Sequence, residues 1–144
     1  MGMRVEWLAR QRRSILLGSF VGFALWQGGM IALDVAPASG FARTAEGLGL
    51  VVGAAVWLIS AIRMRLWSAQ AIGPAGRALT DELWRHRTLL SFMAAFLTMG
   101  LTEAVTLFVA IVAATPPAAK LAAQTAIYVG VLTWLGTFLY LDRD

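Results

Sequence analysis

Residues 88–114 read TLLSFMAAFLTMGLTEAVTLFVAIVAA, and this run decides the fold. Its one charge is Glu103, and it stops at Pro116-Pro117. Crossing a hydrocarbon core of about 30 Å takes roughly 20 apolar residues, which this run supplies. Lipid offers an open backbone no hydrogen-bond partner, so a run of this kind is a helix.

Working outward, three more stretches qualify. Residues 14–33 are opened by Arg12-Arg13 and closed near Asp34. Residues 45–62 end at Arg63 and Arg65. Residues 121–141 end at Asp142-Arg143-Asp144. The reading is an all-α integral membrane four-helix bundle, a single transmembrane domain over residues 1–144. Its long polar connection, residues 63–87, is broken by Gly73-Pro74 and Gly76. Thr80 is placed to cap a short helical lead-in through Asp81 and Glu82.

Composition agrees. Of 144 residues, 59% are hydrophobic and 14% are charged, where a soluble domain carries about 25% charged residues. With no cysteine and a single histidine, His86, thiolate chemistry, Cys-ligated zinc, iron–sulfur clusters and paired-histidine haem ligation are excluded. His86 has no evident nucleophile or metal partner, so the chain reads as non-enzymatic and without a metal site. The net charge of +4 comes from Arg clustered at the ends of the apolar runs. That pattern faces lipid headgroups, not nucleic acid.

The basic residues also set the orientation. Arg4, Arg10, Arg12, Arg13, Arg63, Arg65, Arg77, Arg85, Arg87 and Arg143 fall on one side, against Arg43 and Lys120 on the other. Both termini and residues 63–87 are therefore expected in the cytoplasm, in a multi-pass protein of a bacterial inner membrane. Arg12-Arg13 before an apolar run, followed by Ala36-Pro37-Ala38, has the outline of a twin-arginine signal. The run is long for a signal core, and it reads as the first spanning helix. Trp7, Trp67 and Trp84 lie near the cytoplasmic boundary, where amphipathic rings anchor at an interface.

The two halves resemble each other. Val52-Gly53-Ala54-Ala55-Val56-Trp57-Leu58 aligns with Val129-Gly130-Val131-Leu132-Thr133-Trp134-Leu135. Arg12-Arg13-Ser14-Ile15-Leu16 aligns with His86-Arg87-Thr88-Leu89-Leu90. This suggests a duplicated helical hairpin, a parallel repeat because both copies start on the same side.

Three helices carry a small residue, a glycine and a tryptophan at four-residue spacing: Gly18-Gly22-Trp26, Gly49-Gly53-Trp57 and Ala126-Gly130-Trp134. That spacing shares one helix face, and small residues let backbones approach closely in lipid. Gly18, Gly22, Gly49, Gly53 and Gly130 are thus expected at helix contacts. The chain requires no cofactor, although such faces would also suit a flat pigment, a quinone or a lipid.

Glu103 is the sharpest residue. Sixteen residues beyond Arg87, it lies about 24 Å along the helix, where a charge costs roughly 2.5 kcal/mol or more. Thr102 and Thr106 neighbour it, and Gln27 on the first span reaches a similar depth. Together they are the candidate intramembrane polar site, either neutral interhelical glue or a proton or ligand site. The expectation is an accessory or assembly subunit of a larger membrane complex, held by lipids and by other membrane subunits or self-association. The alternatives are a dimeric small-solute or proton-coupled transporter using Glu103, and a pigment- or quinone-binding subunit.

Overall fold

A computed structural model describes residues 2–70, 82–112 and 119–142. Every regular element in them is helical. Four helices are long and apolar enough to span a membrane, which makes this a multi-pass membrane protein by its architecture. Helix α1 covers Gly2–Val35. Helix α2 covers Gly40–Gln70 and is interrupted by one π-helical turn at Gly49–Gly53. Helix α3 covers Glu82–Val112 and helix α4 Ala119–Leu141.

The helices outlast the apolar runs that announce them. The 34 residues of α1 extend about 51 Å, so its N-terminal part projects past a core of about 30 Å. It does so beside the end of α2, and the two build a small dry cluster of Leu8, Ile15, Trp67 and Met64. Trp67 is buried there, and its indole N–H donates to the Leu8 carbonyl at 2.9 Å. Trp67 therefore fills a helix–helix contact, where a buried indole with a backbone acceptor is well satisfied. Trp7 is exposed, and Trp84 is half-buried with its edge toward Phe138.

Between α1 and α2, Pro37 prevents helix continuation. Ser39 restarts it, its hydroxyl accepting from the Ala42 amide at 3.4 Å. On this turn Arg43 donates from Nε to the Pro37 carbonyl at 3.5 Å. Thr80, the proposed cap, lies outside the described residues. So do Arg77, Asp81, the breaks at Gly73-Pro74 and Gly76, and the side chains of Glu82 and Lys120.

Packing runs in the spatial order α2–α1–α4–α3. Helix α1 lies against both α2 and α4, and α3 packs chiefly on α4. The α1–α2 seam is the tightest. A Cβ at Gly53 would lie 2.5 Å from the Trp26 amide nitrogen and 2.9 Å from the Gly22 carbonyl oxygen. One at Gly22 would lie 2.6 Å from the Trp57 nitrogen, and one at Gly18 would lie 2.5 Å from Ser60 Oγ. Gly49 abuts the Leu25 carbonyl across the same seam. Here backbone meets backbone, with Trp26 and Trp57 closing the gap at 5.6 Å between ring centres. The α3–α4 contact differs. A Cβ at Gly130 would meet only the flexible side chain of Met99.

Candidate functional site

The chemistry in this chain gathers where three helices meet at the Arg-rich end. Arg12 sits at the first apolar residues of α1, Arg87 at those of α3, and Asp142 directly after α4. Asp142 extends the helical hydrogen bonding one residue past α4, its amide donating to the Phe138 carbonyl at 2.9 Å. This brings the carboxylate back between the two guanidiniums. Arg12 Nη2 lies 2.5 Å from Asp142 Oδ1, and Arg87 Nη1 lies 3.5 Å from the same oxygen. The Arg12 and Asp142 side chains are 8% and 7% exposed, and Arg87 is 19% exposed. Burial of this degree makes the pair costly to break, since removing one partner strands a charge without water.

The walls are aromatic. Arg12 Cζ lies 5.9 Å from the centre of the Phe138 ring, within reach of a cation–π interaction. Trp84 meets Phe138 edge-on at 6.4 Å, and Phe92 stacks on Trp134 at 5.0 Å. Together with Leu16, Met64, Trp67 and Thr88 they enclose a cleft of about 310 Å³. Phe92 and Trp134 also line a second groove of about 510 Å³ that continues between α3 and α4 past Ala95 to Met99 and Gly130. Ser91, fully buried behind Arg87, donates its hydroxyl to the Arg87 carbonyl at 2.8 Å.

Three donors on this cleft are buried with no acceptor among the described residues: Arg12 Nε, Arg12 Nη1 and Trp134 Nε1. Buried polar groups without partners are rare enough that each calls for a physical reason.

The intramembrane polar residues are arranged otherwise. Glu103 is exposed on α3, within a surface that also exposes Leu101, Val105, Leu107 and Phe108. The half-buried Thr102 and Thr106 hydroxyls each donate to the carbonyl one turn back, at 2.7 Å. They are thus committed to their own helix. Gln27 is half-buried on α1, a helix that packs on α2 and α4 instead of α3. The structure does not bring Gln27 and Glu103 together. His86 is exposed, and among the described residues no three of His, Asp and Glu cluster as metal ligands would.

Sequence reasoning missed the Arg12–Asp142–Arg87 cluster. It treated each of the three as a solvated end of a separate span. The available signal was that the basic residues opening the first and third spans share a membrane side with the acid closing the fourth. Compared with protein-family models, curated proteins and solved structures, the chain matches none of them.

Proposed function

We propose that this chain is a non-enzymatic accessory or assembly subunit of a larger complex in a bacterial cytoplasmic membrane. Both termini and residues 63–87 are cytoplasmic in this reading, as the ten-to-two partition of basic residues requires. The carrying observation is Glu103, exposed on an otherwise apolar face of α3. Within lipid, such a group costs roughly 2.5 kcal/mol or more unless something hydrogen-bonds it. A neighbouring membrane helix supplies that partner. The sparse packing of α3 supports the same reading, since its spanning part is only 6% buried within the chain. Two hairpins, α1–α2 and α3–α4, stand side by side with α1 against α4; the duplicated hairpin rests on the sequence matches alone.

The same residue supports a second reading, a dimeric proton-coupled or small-solute transporter in which Glu103 faces another copy of this chain. A photo-crosslinking residue at Gly100 or Leu107, which share the Glu103 face of α3 at i−3 and i+4, separates the two in cells. The accessory role requires a discrete adduct with a different membrane protein, weakened by Glu103→Ala and absent when the probe sits at Leu58 on α2. Adducts solely between copies of this chain would replace it with the transporter. No adduct from α3 would remove both.

A further inference from the structure

The cleft at Arg12 and the groove between α3 and α4 adjoin at Phe92 and Trp134, which line both, and together they present a charged end and an apolar length. Among the described residues the charged end is unbalanced: two guanidiniums, Arg12 and Arg87, share one carboxylate, Asp142, leaving one net positive charge. Arg12 is 93% withdrawn from the surface by its 7% exposure. It lines the cleft and keeps Nε and Nη1 without acceptors among the described residues. The Trp134 indole N–H, deeper on the same wall, also lacks one. From there the lining is Phe92, Ala95, Phe96, Met99, Gly130 and Val131, with no charged side chain. Along α3 the distance from Arg87 to Met99 is about 18 Å, near the half-thickness of a hydrocarbon core of about 30 Å.

We propose that this feature holds one monoanionic diacyl phospholipid of the phosphatidylglycerol class. Its phosphodiester lies at Arg12 and Arg87, and one acyl chain fills the α3–α4 groove. Charge complementarity selects this occupant. A single negative charge neutralises the buried cluster, a zwitterionic lipid does not, and a quinone or neutral pigment leaves Arg12 unanswered. The Trp134 N–H then has the ester carbonyl region as its acceptor, as interfacial indoles commonly do. Phe92, Phe96 and Met99 lie on the α3 face that carries Glu103 further along. The charged end at Arg12 and Arg87, however, lies about 24 Å along the helix from Glu103, so headgroup selection is tested apart from any protein partner there. The site rests only on the four helices spanning a membrane.

The test uses the full chain, stripped of native lipid, reconstituted into phosphatidylcholine nanodiscs containing a small fraction of phosphatidylglycerol. After re-extraction, native mass spectrometry counts the retained lipids. One phosphatidylglycerol per chain should persist in preference to phosphatidylcholine. Arg12→Gln and Arg87→Gln each bring the cluster to charge balance, and each should cut that preference roughly fivefold. Val131→Trp should abolish retention while leaving the charges in place, because it fills the groove.

Equal retention of the two lipids would overturn the proposal, as would an unchanged preference in both Arg variants. Retention surviving Val131→Trp, with inorganic phosphate displacing the lipid, would make this a small-anion site and overturn the acyl-chain assignment. If Arg12→Gln fails to insert, Arg87→Gln and Val131→Trp decide the question. Arg87 is the more exposed partner, and Asp142 keeps Arg12 in its absence.

Discussion

The α1–α2 and α3–α4 hairpins each carry a Val-Gly-x-x-x-Trp-Leu segment, yet they adhere differently. In the first, glycines at four-residue spacing on both helices meet across the seam, and backbone lies against backbone at Gly22, Gly29, Gly49 and Gly53. In the second, a single glycine, Gly130, faces Met99, and the interface opens into a groove lined by Phe92, Phe96 and Trp134. A glycine motif in lipid delivers close packing only when the facing helix answers with small residues of its own. Val52-Gly53-Ala54 finds Gly22 opposite. Val129-Gly130-Val131 finds a long flexible thioether instead, and methionine fills irregular space without fixing it. The first hairpin is closed on itself, whereas the second leaves surface that lipid or another protein must complete.

The Arg12–Asp142 pair links the unequal hairpins beside apolar contacts such as the Phe23–Tyr128 stack, and breaking it should have the largest effect. Asp142→Ala strands two guanidiniums at a site where Arg12 and Asp142 are under a tenth exposed. It should cost about 3–5 kcal/mol. The measurement is reversible unfolding in mixed micelles, or disulfide trapping between cysteines placed on α1 and α4. Because the pair is buried, added salt should change wild-type stability little. A solvated pair would lose its contribution in high salt, and an Asp142→Ala protein as stable as wild type would mean the hairpins are joined elsewhere.

The comparison sharpens with one substitution made in each hairpin. Gly53→Ala places a methyl group against the Trp26 amide and the Gly22 carbonyl, neither of which can rotate away. The backbones must part, at about 1–3 kcal/mol. Gly130→Ala meets only the Met99 side chain, which can change rotamer, so it should be neutral within about 0.5 kcal/mol or slightly stabilising, since Ala is the better helix former. Melting temperatures of the two variants in one detergent test this directly. Equal losses would erase the distinction between the seams.

The smallest effect should come from Glu103→Gln in the isolated chain. Glu103 is exposed and lies away from Gln27, so the fold of the single chain should not register the change beyond about 0.5 kcal/mol. The loss should appear only when the complex is intact, read as subunit retention in mild detergent. A marked loss of stability in the isolated chain would return Glu103 to the role of internal glue between this chain's own helices.

Residues 88–114 and their three counterparts sufficed to specify four spanning helices, because a membrane lets a backbone cross only as a helix and requires about 20 apolar residues to do so. The four-residue glycine spacing marked faces for close approach on the same local grounds. Sequence alone did not tell which faces meet. Gly22 against Gly53 and Gly130 against Met99 follow from helix rotation and neighbour order, which hydropathy does not encode because lipid and a neighbouring helix are nearly equally apolar. The same ambiguity concealed Trp67, which has the composition of an interface anchor but lies buried against Leu8. The unequal fates of the charges were also decided in three dimensions. Glu103, inside an apolar run, faces outward, while Arg12 and Asp142, at the edges of theirs, are buried together. Depth along a helix can be read from the chain, but whether a side chain at that depth meets lipid or a partner 130 residues away depends on how the helices are placed side by side.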